Sequence, residues 1–145
     1  MSNKALAIAW GGATAGTLDL ISAFITYGWG VPRAIASGLM GAQAFRGGLP
    51  TWLLGVFLHF FIAFSAATIY CVSSERLKFL KEHFLVCGLF YGIAVFLVMN
   101  LIVRPLSAVP HKTGTFTAAA LTQGLLVHMV LIGLPISISA WKFLK

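Results

Sequence analysis

An all-α, polytopic membrane bundle of four transmembrane helices is the fold that this sequence predicts, on three observations. Four apolar runs, each about as long as the ~20 residues needed to cross a bilayer, consume most of the 145 residues. The chain is 59% hydrophobic and 9% charged, too little polar surface to cover a water-soluble globule. Tyr27, Trp29, Trp52, Tyr70 and Trp141 fall near the ends of the runs, as interfacial aromatics do, while Trp10 fits that pattern less well.

The first span is expected over Ala5–Tyr27. Lys4 ahead of an apolar run and Ala13-Thr14-Ala15 imitate a secretory leader, but the run continues past Gly16, so the span should be uncleaved. The first connection, Gly30 to Pro50, is long and not very polar. Pro32 can open a short helix with Ile35, Leu39 and Ala42 on one side, and Gly47-Gly48 can end it. An interfacial or shallow re-entrant helix over the mouth of the bundle is expected there, with an ordinary ordered loop as the alternative. The second span is expected over Trp52–Val72, the third over Phe84–Val103 and the fourth over Ala118–Ala140. Arg104-Pro105 should end the third, the connection Pro105–Thr117 should be irregular, and Pro135 should kink the fourth. One domain, residues 1–145, accounts for the chain.

The formal charge of +7 does not point to nucleic acid, because the Lys and Arg residues stand singly at span ends and form no basic stripe with interleaved aromatics. They read as topology signals and lipid-phosphate contacts. An even number of spans puts both termini and the connection Ser73–His83 on one side, with Lys4, Arg76, Lys78, Lys81, Lys142 and Lys145. The other side has Arg33, Arg46, Arg104 and Lys112. This balance favours both termini in the cytoplasm. Cys71 and Cys87 then lie near a reducing compartment, where a disulfide is not expected.

Three spans carry an ionisable side chain: Asp19, His59 and His128. Such groups are costly in hydrocarbon and usually face a bundle interior, where they mark a pathway or ligand site. Gly12, Ala15, Gly16, Asp19, Ser22, Ala23 and Thr26 share one small or polar face of the first helix, from which Leu18, Ile21 and Ile25 point away. Gly55, His59, Ala63, Ala66 and Tyr70 make a similar stripe in the second, and Gly88, Gly92, Phe96 and Asn100 in the third. Counted inward at ~1.5 Å per residue, Asp19, His59, Asn100 and His128 fall at comparable depths, so the expected site is a polar intramembrane cavity formed by these four with Arg104 at its outer mouth. Asp19 would accept from His59, His128 or water, since Glu and Lys are absent from the expected spans. Histidine can take up or release a proton near neutral pH, so the cluster suits proton handling. The plain structural alternative is helix–helix hydrogen bonding, about 0.6 kcal/mol per contact.

No cofactor is expected. The alternative is that His59 and His128 ligate a haem b iron from opposite faces or serve a quinone, and a metal held by Asp19, His59 and His128 is a further alternative of the same kind. No nucleophile–base pair and no glycine-rich phosphate loop accompanies these residues, which disfavours an enzyme.

Gly55-Val56 through His59 to Tyr70-Cys71, Gly88-Leu89 through Gly92 and Asn100 to Pro105-Leu106, and His128 with its following apolar turn resemble the YagU-like inner-membrane proteins of bacteria. Ala15-Gly16 and Val31-Pro32 extend the resemblance over most of the chain, which departs from the family's pattern by having Asn100 where a third histidine is expected, and a shorter first connection. The resemblance implies a multi-pass protein of the bacterial inner membrane with a link to acid tolerance. The expectation is therefore a small non-enzymatic membrane protein whose polar site handles protons or a small solute, partnered by the bilayer and as a homo-oligomer or within a larger membrane complex. The alternative is an accessory subunit of such a complex.

Overall fold

The computed structural model describes residues 2–110 and 117–144, and among these helix dominates and no strand occurs. Four helices are long and apolar enough to cross a membrane: α1 (Asn3–Tyr27), α3 (Leu49–Arg76), α5 (Phe84–Leu106) and α6 (Ala118–Phe143). Two shorter helices accompany them, α2 (Val31–Met40) in the first connection and α4 (Phe79–Glu82) in the second. The chain is an all-α, multi-pass membrane protein.

The helices outrun the apolar segments that predicted them, because a helix continues until its backbone is capped and polar residues at its ends meet water. Ser2 caps α1 by accepting from the Ala5 N–H at 3.2 Å, and Thr117 caps α6 by accepting from Ala120 at 3.1 Å. Pro50 sits in the first turn of α3, where its missing N–H costs nothing, so that helix begins at Leu49 and not at Trp52. It runs on through Ser73–Arg76, and Lys4 and Glu75, expected outside the spans, therefore belong to α1 and α3 and pair at 2.9 Å. The segment expected as a plain connection folds into α4, anchored by the Tyr70 hydroxyl donating to Leu80 O at 2.9 Å.

α1 and α6 form the central pair. α1 also packs on α3, and α6 on α5, whereas α3 and α5 do not pack along their lengths and are joined where Tyr91 donates to Ala66 O at 2.7 Å. Close approach follows from missing side chains. A Cβ on Gly92 would run into His128 O and Met129 Cα, and one on Gly133 into Gly88 O. The buried Ser139 hydroxyl donates to Ala7 O across α6 and α1 at 2.8 Å.

Pro105 lies at the end of α5 as expected, one residue before Leu106, and at Pro135 α6 shows more than a kink. Each helix widens into a π turn just before its proline, Met99–Val103 and His128–Gly133, so that Arg104 N–H bonds Met99 O and Leu134 N–H bonds Met129 O. A proline cannot donate to the carbonyl one turn back, and an i→i−5 pattern relieves its ring of the clash there.

At the end of the bundle opposite the termini, Gly28 (φ +79°) turns the chain out of α1. Trp29 then joins Phe24 and Trp52 in a cluster of three stacked rings, its centroid 4.8 Å from each while theirs are 6.2 Å apart, and Trp52 Nε1 donates to Trp29 O at 3.0 Å. This clamp starts α2 against α3, where Gly55 leaves room for the Pro32 carbonyl. The packed side of α2 is Pro32, Ala36 and Ser37; the expected side of Ile35, Leu39 and Ala42 is not the buried one, and Ala42 has passed into the 3₁₀ turn Gly41–Arg46. Ala108 N–H donates to Gly38 O at 2.9 Å, tying the connection after α5 to α2. His111, Lys112 and Gly114 of that connection lie outside the described residues.

Candidate functional site

α2 packs on α3, and beneath it a space remains between α1, α3, α5 and α6. This cavity measures about 350 Å³, and Asp19, His59, Asn100, Arg104 and His128 all line it. Its remaining wall is largely small and apolar, with Ala15, Ala63 and Ile132 at the helix contacts and Val31 and Ile35 contributed by α2. At ~1.5 Å per residue, Asp19 lies about 12 Å inside the α1 end at Tyr27, His59 and His128 lie about 15 Å inside Leu49 and Ala118, and Arg104 only about 3 Å inside Leu106. The ionisable groups expected at one depth on separate helices thus meet in one space.

Their hydrogen bonds differ from expectation. His59 Nε2 is 2.8 Å from Gly16 O and 4.0 Å from Asp19 Oδ2, so the imidazole is anchored on the α1 backbone and its contact with the carboxylate is a long one. The side chains of His59 and Asp19 are 12% and 20% exposed, which leaves the carboxylate open to the cavity and little else. His128 does not reach Asp19: its Nδ1 is 2.8 Å from Gly124 O, one turn back on its own helix, and its ring meets Phe96 edge-on at 5.4 Å. Asn100 donates to Phe96 O at 2.8 Å and accepts from Arg104 NH1 at 3.1 Å. Asn100 and His128, which line the cavity from α5 and α6, both stand at the start of the π turns. Such turns inside α-helices are frequent at functional sites.

Asp19, His59 and His128 form no group that could hold a metal ion. The sequence did not announce Tyr27, Val31, Ile35 and Met99 as wall residues, since apolar side chains in a connection and at a span end carry no distinguishing pattern. Gly16 was legible as a packing residue but not as the acceptor for His59. Compared with protein-family models, curated proteins and solved structures, the chain matches none, and the site is interpreted from its own chemistry.

Proposed function

We propose that this is a small, non-enzymatic protein of a bacterial inner membrane, with both termini in the cytoplasm, whose cavity takes up protons or a small solute from the outer side. The observation that carries this reading is the convergence of Asp19, His59, Asn100, Arg104 and His128, from four helices and within one cavity, while the other Asp, Glu, Lys and Arg residues of the spanning helices, Lys4, Glu75, Arg76 and Lys142, stand at helix ends. A merely structural role supports the cavity less well, because Asp19 forms no hydrogen bond across helices among the described residues; its one contact is His59 at 4.0 Å. An unsatisfied carboxylate in hydrocarbon is expensive, and water or solute in the cavity relieves that cost. The excess of Lys and Arg at the end carrying the termini supports the orientation. The resemblance to YagU-like proteins, through residues such as His59 and Gly92, supports the inner-membrane setting.

The test is proton flux into liposomes containing the purified protein and a pH-sensitive dye. Asp19→Asn and His128→Ala should each slow flux by about a hundredfold, the low end of what a positioned proton-transfer group contributes. Flux unchanged in both variants would refute the proposal.

A further inference from the structure

A second cavity of about 550 Å³ abuts the first and shares with it Tyr27, Val31, Ile35, Ile62, Met99 and Arg104. Beyond that common wall it is bounded by Leu39, Leu58, Val103 and Val109, so an apolar cavity between α2, α3 and α5 adjoins the polar one. A ligand filling both has one polar end and one apolar end.

Which polar end fits follows from what the side chains already do. His59 Nε2 and His128 Nδ1 each face a backbone carbonyl, and only a ring N–H satisfies a carbonyl oxygen. In the neutral rings, His59 Nδ1 and His128 Nε2 are then acceptors. Asp19 adds a carboxylate with no hydrogen-bond donor among the described residues. The wall made by α1, α3 and α6 therefore offers acceptors and negative charge. Donors stand on α5, where Asn100 and Arg104 engage each other at 3.1 Å, and at the rim, where Tyr27 carries a hydroxyl.

We infer that the adjoining cavities bind a lipophilic ammonium ion, a protonated primary or secondary amine seated on Asp19 with its apolar body between α2 and α3. This deepens the proposed function and rests on it, by naming the solute class. The ammonium and a proton compete for one carboxylate: a bound cation displaces the carboxyl proton to water, one positive charge for another. The titratable and charged groups that line the cavity with Asp19 are His59 from α3, His128 from α6, Arg104 from α5 and Tyr27 from α1, and α2 contributes only Val31 and Ile35. Arg104 sits nearer the rim than Asp19 and is held to Asn100, which leaves the deep position to the cation.

The experiment is calorimetric titration of the full chain in phosphatidylcholine nanodiscs, corrected with empty nanodiscs, using octylammonium, octyltrimethylammonium and octanoate. Octylammonium should saturate one site and bind about tenfold or more tighter than the trimethylated cation, which has no N–H to donate, or the anion, the factor expected for a charged hydrogen bond. Asp19→Asn should remove that advantage, and Leu58→Trp, which fills the apolar cavity away from the carboxylate, should weaken octylammonium while leaving methylammonium unchanged. Octanoate binding as tightly as octylammonium, or an Asp19→Asn variant binding like the parent, would overturn the inference. Proton flux that depends on Asp19 without octylammonium binding would defeat this ligand class and leave the proton-handling reading intact; absence of both would defeat both.

Discussion

His59 is hydrogen-bonded to Gly16 and only in long contact with Asp19: its Nε2 lies 2.8 Å from the glycine carbonyl on the neighbouring helix and 4.0 Å from the carboxylate. The bond requires α1 and α3 to be nearly in backbone contact, which Gly16 permits, since a Cβ there would sit 2.8 Å from the Phe60 ring and 3.2 Å from Ala63 Cβ. It also fixes which ring nitrogen carries the proton, and so leaves Asp19 to whatever occupies the cavity.

Gly16→Val should push α1 from α3 and release His59. The expected outcome is a loss of about 1–3 kcal/mol in reversible unfolding in mixed detergent, typical of an overfilled contact, together with the flux defect of His59→Ala.

Gly92→Ala places its Cβ against backbone atoms of His128 and Met129, which cannot swing aside as a ring can. It should cost about 2 kcal/mol in the same unfolding measurement, whereas Gly30→Ala, which meets nothing within 4 Å, should be neutral.

Pro135→Ala restores the N–H whose absence accompanies the π turn His128–Gly133. The helix should tighten toward α geometry and shift the contact that the His128 turn makes with α5 at Gly92. Flux should fall as in His128→Ala, and the double variant should be no slower than either single one, a non-additivity that marks shared action.

Lys4→Met should matter little, although Lys4 and Glu75 are only 2.9 Å apart, because both side chains are more than 40% exposed. An exposed pair contributes about 0.5 kcal/mol at most and is screened by salt, so unfolding in high salt should not separate the variant from its parent.

The proposed orientation predicts that, with Cys71 and Cys87 replaced by serine, a membrane-impermeant maleimide labels Gly30→Cys in intact cells and not Leu77→Cys. Labelling in the reverse sense would invert the topology.

The sequence by itself determined the four spans, the small faces of α1, α3 and α5, and the presence of buried ionisable groups, because hydrocarbon thickness and the 3.6-residue repeat act on local composition. It also marked the helix ends at Tyr27, Phe84 and Ala118 and a short helix in the first connection; it missed the other ends, where capping and Lys4–Glu75 pairing outweigh hydropathy, and the packing of α2 on α3, which depends on Trp29 stacking with Trp52 and on Pro32 meeting Gly55. Only the tertiary structure decided that Asp19, His59, Asn100, Arg104 and His128 share one cavity and that each imidazole directs its N–H to a carbonyl. Those outcomes depend on the distance between helices and on how each helix is turned against its neighbours, and neither quantity is written in the spacing of residues along one helix.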